Sequence, residues 1–268
     1  MSTNAKLQPQ RTHGWWPGFA NMLGKEFGTW WNTRRSIVQS FLWLFILNGV
    51  TAIFIFVVPG MTRPDGQPVL EGDPVINGVS YFFSIGSVAL GIALIALMQN
   101  AVLGERKSGT AAWVLSKPVT REAFVLAKLV ANAAHALLFM VILPGLALYV
   151  EAVLLAEGGI TLRSFLAGMG VLALYLFFYL SLTLMLSVLA DSSGLVLGVS
   201  MGVLFGGMLL VQLVNVVGYA GPWLLPDVST VLMTGQVPDW APIPVAVTVA
   251  WTVVFAIVAV WKFKRQEL

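Results

Sequence analysis

The chain has 268 residues, 58% of them apolar and 10% charged, against about 45–50% and about 25% in soluble domains. So little charge cannot cover a soluble globule of this size, so most of the exterior is expected to face lipid. The absence of cysteine excludes disulfides and thiolate metal sites, and the net charge of +3 says less than the distribution of the charges.

The chain opens on a polar and aromatic stretch with no apolar core of the kind a cleaved signal peptide carries. Within 15–35, Phe19, Leu23, Phe27 and Trp30 recur at helical spacing, while Asn21, Lys25, Gly28, Asn32 and Arg35 fall mostly off that stripe. Trp15, Trp16, Trp30 and Trp31 add rings that prefer the headgroup layer. The pattern predicts a helix lying on the inner leaflet or, alternatively, one packed on protein.

Six apolar runs follow, roughly 37–58, 79–103, 129–150, 165–189, 195–215 and 243–261. Each approaches or exceeds the about 20 residues that cross a ~30 Å hydrocarbon core. The fold class expected is therefore an all-α membrane protein with six transmembrane helices. An even number of spans leaves both ends on one side. That side collects 13 of the 15 Lys and Arg residues; only Arg63 and Arg163 fall opposite, beside seven acids (Asp65, Glu71, Asp73, Glu151, Glu157, Asp227, Asp239). The positive-inside rule makes the basic side, with both termini, cytoplasmic.

The 59–78 loop is rich in Pro and Gly, and its Asp65, Glu71 and Asp73 lack the spacing of a calcium loop; a solvated acidic loop is expected. Between spans two and three lies the long polar interruption Gly104–Lys128. Glu105 to Leu115 is predicted as one short helix, broken by Ser116-Lys117-Pro118 because proline lacks a donor and disfavours helix before it. Thr120 is a candidate N-cap for the next helix. Two readings fit this loop: a docking element for a cytosolic partner, or a surface helix held by headgroups through Arg106, Lys107, Lys117, Arg121 and Lys128.

His135 is the only histidine well inside a span, and it shares a helical face with Lys128 and Asn132. A neutral hydrogen-bonding role is favoured over proton coupling or metal binding, because no second ligand lies near it in sequence. Asn48, Gln99, Asn100, Gln212 and Asn215 are interhelical glue or substrate contacts. The ten methionines are scattered, as filler rather than a copper site.

Span five carries Gly194, Gly198, Gly202 and Gly206 at intervals of four, which allows close approach of a helix from this chain or from a second copy. Residues 216–242 are apolar but broken by Gly221, Pro222, Pro226, Gly235 and Pro238, a pattern that predicts a re-entrant or interfacial external segment. Trp261, Lys262, Lys264 and Arg265 close the chain as an inner-leaflet anchor.

The polar loop resembles the intracellular loop of the ABC-2 type (type V) permease family, the membrane subunits of ATP-driven exporters. The residues that carry this are Glu105, Gly109-Thr110, Leu115-Ser116, Pro118-Val119, Arg121 and Lys128. The resemblance extends to Lys25-Glu26-Phe27 with Arg34-Arg35, similar to the family's elbow helix, and to the broken 216–242 segment. It implies a cytoplasmic N-terminus and elbow helix over 1–36 and a permease domain over 37–268. The loop 104–128 would then be the coupling element, with Glu105, Gly109, Thr110, Trp113, Leu115, Pro118 and Arg121 as its contact residues. The partners implied are two separate ABC ATPase subunits, a second permease chain and the lipid bilayer, with no nucleic acid. ATP and Mg would sit on the partner, and no cofactor on this chain. The family's path runs along spans two and five, where Phe83, Leu94, Met98, Met201, Phe205 and Met208 are candidates; each is equally a lipid-facing or core residue. The localisation expected is a bacterial-type plasma membrane. No G-x-x-x-x-G-K-[ST], H-E-x-x-H or G-x-S-x-G occurs, so a non-catalytic chain is expected. The alternative is a membrane scaffold or sensor that binds a cytosolic partner and transports nothing.

Overall fold

The computed structural model describes residues 18–31, 34–155 and 159–266. The readings placed on residues 1–17, on Asn32, on the Arg35 side chain and on Glu157 lie outside the described residues. The chain is nearly all helical: six helices are long and apolar enough to cross a membrane, and the described residues hold no strand beyond an isolated bridge between Thr62 and Pro68. The elements are α1 (Phe19–Trp31), α2 (Ser36–Gly60), α3 (Pro74–Met98), α4 (Leu103–Lys107), α5 (Thr110–Leu115), α6 (Arg121–Val153), α7 (Leu162–Leu189), α8 (Ser193–Leu213), α9 (Leu225–Met233) and α10 (Pro242–Lys264).

Local chemistry sets the starts of these helices. The Asp73 carboxylate accepts from the backbone amides of Val75 and Ile76 and caps α3; the Thr120 hydroxyl accepts from Ala123 and caps α6, as expected; Thr161 and Ser192 do the same for α7 and α8. Helix α7 is the central post, the most buried of the six, and packs against α3, α6, α8, α9 and α10. The side chains of Leu176, Tyr179 and Leu184 lie wholly inside the chain.

Two expectations are corrected. Residues 105–115 form two short helices rather than one, because Gly109 takes φ +72°, the left-handed region that glycine enters without a Cβ penalty and that ends a helix. The face of α1 turned inward is Phe19, Met22, Glu26 and Trp30, with Leu23 and Phe27 only half-buried. The stripe is rotated because Glu26 is drawn in to meet a cation on α6, against which α1 packs.

The 216–242 segment is short 3₁₀ turns followed by α9, which packs on α7 and α3 with Leu225, Val228 and Met233 buried. Trp223 lies across α8 at Gly207, where a Cβ would stand 1.8 Å from the indole. Its N–H donates to the carbonyl of Val203 at 2.9 Å, inside a π-helical turn over Gly202–Gly206. By contrast, a Cβ on Gly194, Gly198, Gly202 or Gly206 would meet nothing within 4 Å, so the glycine stripe faces out of the chain.

These two glycine environments predict opposite responses. Gly207→Ala displaces the indole and costs about 1–3 kcal/mol of stability as an overpacked site, whereas Gly198→Ala stays within about 0.5 kcal/mol in the isolated chain. Thermal unfolding of the detergent-solubilised variants measures both.

Candidate functional site

The polar loop and its neighbours form the most heavily tied region of the molecule. Its centre is Lys128 on the first turns of α6, whose side chain is 4% exposed. The ammonium lies 2.9 Å from Glu26 Oε1 on α1 and 2.9 Å from Glu105 Oε1 on α4. Lys25 reaches the same Glu105 oxygen at 3.1 Å from the rim, where its side chain is 40% exposed. A cation this buried is stable only with such partners, because removing one side of a buried pair strands the other charge.

Above Lys128, toward the membrane interior, Asn132 donates to the Lys128 carbonyl at 2.7 Å and accepts from the Trp30 indole at 3.2 Å. His135 stacks on Trp30 at 3.6 Å between ring centres, and its Nε2 is 2.7 Å from Gln39 Oε1 on α2. The shared face of Lys128, Asn132 and His135 is therefore the seam along which α6 meets α1 and α2. Among the described residues, no group of three or more His, Asp or Glu is placed to hold a metal ion.

A second set of ties anchors the loop to α7 and α10. The Ser187 hydroxyl accepts from the amides of both Val102 and Leu103 at 3.1 Å, satisfying donors at the start of α4. Arg106 donates to the Val188 carbonyl at 2.8 Å, where α7 ends, and lies 3.7 Å from Asp191. Arg121 donates to the carbonyls of Lys264 and Gln266, and Glu122 lies 2.7 Å from Lys264. Gly18, at φ +80°, brings the start of α1 against Pro118 and Val119; a Cβ there would stand 2.7 Å from the Val119 side chain.

The residues singled out from sequence thus divide by role. Glu105 and Arg121 are internal ties, Gly109 is the left-handed break, and the Thr110 hydroxyl lies 2.9 Å from that of Ser108. In α5, Ala111 and Val114 point inward and are buried, while Trp113 is 62% exposed with the Lys117 ammonium 3.6 Å over its ring. Pro118 is exposed and Leu115 half-buried. Of the residues considered for a path, Phe83, Leu94 and Met98 are packed inside the chain, Met201 is half-buried, and Phe205 and Met208 face outward.

Sequence reasoning missed Glu26, Arg106, Glu122, Ser187 and Gln266 as ties. One signal was present: the basic side carries few acids, and each described one (Glu26, Glu105, Glu122, Asp191) lies within 4 Å of a Lys or Arg. An acid surrounded by an excess of cations on a membrane-adjacent helix is a ready partner for one of them.

The comparisons agree with a membrane-spanning chain. The family described as "Protein of unknown function (DUF2705)" matches residues 37–268, from the first span to the C-terminus. The chain belongs to this family. It is also 22% identical to the uncharacterized transmembrane protein YxlG of Bacillus subtilis (strain 168) over 264 residues, covering 92% of this chain and 97% of that one. A member of the family with six apolar helices is a multi-pass membrane protein.

Lys128→Ala leaves the buried Glu26 with only the rim Lys25, 3.9 Å away, and is expected to cost about 3–5 kcal/mol of stability. Lys25→Ala, at the exposed rim, is expected to cost less than about 1 kcal/mol. Thermal unfolding in detergent separates the two; equal losses would place the weight of the cluster at its rim.

Proposed function

We propose that the chain is the membrane-spanning permease subunit of an ATP-driven exporter of the ABC-2 type, working as a dimer and coupled through residues 104–128 to a separate ATPase. The observation that carries the reading is α5. It is buried on one side by Ala111 and Val114, tied through its neighbours to α1, α6, α7 and α10, and it presents Trp113 and Lys117 outward. A large aromatic held on a rigid mount and left uncovered is the kind of anchor around which protein interfaces concentrate their energy. The E-x-x-x-G-T and L-S-x-P-V-x-R residues around it, between spans two and three, support the same reading.

On this reading α1 is the elbow helix, α4 and α5 are the coupling element, and 216–242 is the external re-entrant segment. The basic end faces the cytoplasm of a bacterial-type plasma membrane with both termini, a placement that the distribution of Lys and Arg supports. ATP and Mg are bound by the ATPase subunits, two per transporter. A push on α5 passes to α6 through Lys128 and to α7 through Ser187 and Arg106, so the helices of one chain move with the loop instead of letting it flex. The outward glycine stripe of α8, with Phe205 beside it, is the face offered to a second permease chain.

Purification of the tagged chain from native membranes in mild detergent tests this. The reading expects a co-eluting P-loop ATPase and vanadate-sensitive hydrolysis. Trp113→Ala should leave the chain folded, since the side chain is 62% exposed, and should cut recovery of the ATPase by at least about ten-fold, the loss of an interface hot spot. Elution of the chain with a cytosolic partner that lacks ATPase activity would favour a scaffold or sensor instead.

A further inference from the structure

At the end of the bundle remote from the polar loop, a cavity of about 240 Å³ opens between α3, α7, α8 and the segment leading into α9. Trp223 gives it an aromatic wall, Met208 a thioether, Ser84 and Gln212 neutral polar groups, and Asp227 a carboxylate; Tyr175 borders it while itself 3% exposed. The aromatic lining is prearranged. Trp223 is fixed across Gly207 by its hydrogen bond to Val203, and the Tyr175 ring edge and hydroxyl lie 3.5 Å from where a Cβ on Gly91 would stand.

Asp227 is exposed in the first turn of α9, where its charge meets the positive end of the helix, and that role leaves its outer oxygen free. Two other acids at this end hold their own loops: Asp65 accepts from the amide of Gln67, and Asp73 caps α3. No hydrogen-bond donor or basic side chain among the described residues pairs with Asp227. Packing on its inner side raises its carboxyl above the ordinary carboxylate value, although the side chain reaches the surface. A carboxylate with no cation beside it, at a cavity lined by a fixed indole, a thioether and the aliphatic Val88 and Val211, suits a positive charge on an apolar body.

We propose that this cavity binds a small organic ammonium, with Asp227 as its counter-charge and the Trp223 indole and Met208 thioether against its apolar and N-methyl surface. Aromatic faces attract such cations through their quadrupole, and the attraction grows as water is excluded. A divalent metal is disfavoured because one carboxylate falls short of the six to eight oxygens that calcium takes or the octahedral set that magnesium takes. An anion is disfavoured by Asp227 itself. The site is a property of the single chain and stands whether or not an ATPase drives it.

The test is equilibrium binding of phenyltrimethylammonium to the purified full chain in uncharged, lipid-free detergent, with tert-butylbenzene as its uncharged isostere. Saturable binding of the cation alone is expected. Asp227→Asn should weaken it by at least about ten-fold, the loss of one partly desolvated charge contact, while Asp239→Asn, an exposed acid at the same end, should leave it unchanged. Both side chains stand at the surface, so the two variants should elute from gel filtration as the parent does. Displacement by dihexanoylphosphatidylcholine would identify a lipid headgroup as the source of the ammonium, and no displacement a free cation; both support the site. Equal binding of the isostere, no saturable binding, or an Asp227→Asn variant that binds as the parent does would overturn the proposal.

Discussion

The buried ammonium of Lys128 sets the terms for the whole basic end of this protein. An unpaired charge at that depth would cost several kcal/mol, and the chain meets the cost by bringing two carboxylates from different helices to within 2.9 Å. Glu26 belongs to a helix that precedes the first span, and Glu105 to the loop that follows the second. Their meeting fixes the rotation of α1, the position of α4 and the start of α6 together. Once these are fixed, the lesser ties fall into place around them: Ser187 on the amides of α4, Arg106 on the end of α7, and Arg121 and Glu122 on the end of α10. What is left uncovered is the outer side of α5, with Trp113 at its centre. A surface so anchored and so exposed is the physical basis for reading the loop as a docking element.

The opposite end is held by different means. There the helices close on one another through glycines that admit a neighbour, as Gly207 admits Trp223 and Gly168 admits the backbone of α9 at Ser229. Polar groups at this end cap helices and close short loops, and Asp227 is left facing a cavity. The chain is thus ionic and cross-braced at one end and steric at the other, with α7 running between them. The backbone widens to π-helical turns in α2, α6 and α8, whereas α7 is regular throughout. Such turns are places where a helix can change pitch without losing its hydrogen bonds. In the transport reading, α7 is the post and its neighbours are the elements free to adjust.

Much of this was legible in the sequence, and the reasons it was are physical. Span positions follow from hydropathy because lipid demands it, and the Thr120 cap and the Pro118 break follow from local backbone chemistry. The common face of Lys128, Asn132 and His135 follows from helical periodicity. The rest was hidden because its causes are not local. Glu26 and Lys128 are separated by 102 positions, and Val102 and Ser187 by 85. The inward rotation of α1 contradicts its apolar stripe because an ion pair outweighs the exposure of half of Phe27. Gly109 looked like one more small residue in a helix until its left-handed turn divided the segment. Gly207 escaped notice beside a more regular glycine repeat, yet it is the one whose missing Cβ a neighbour uses.

The central claim is that α1, α4 and α6 form one mechanical unit through Lys128. Amide hydrogen exchange on the Lys128→Ala variant in detergent micelles tests it most directly. The account predicts that exchange rises together in residues 19–31 and 103–115 as well as around position 128, while the core of α7 stays protected. Faster exchange confined to the first turns of α6, with α1 and the loop unchanged, would contradict it.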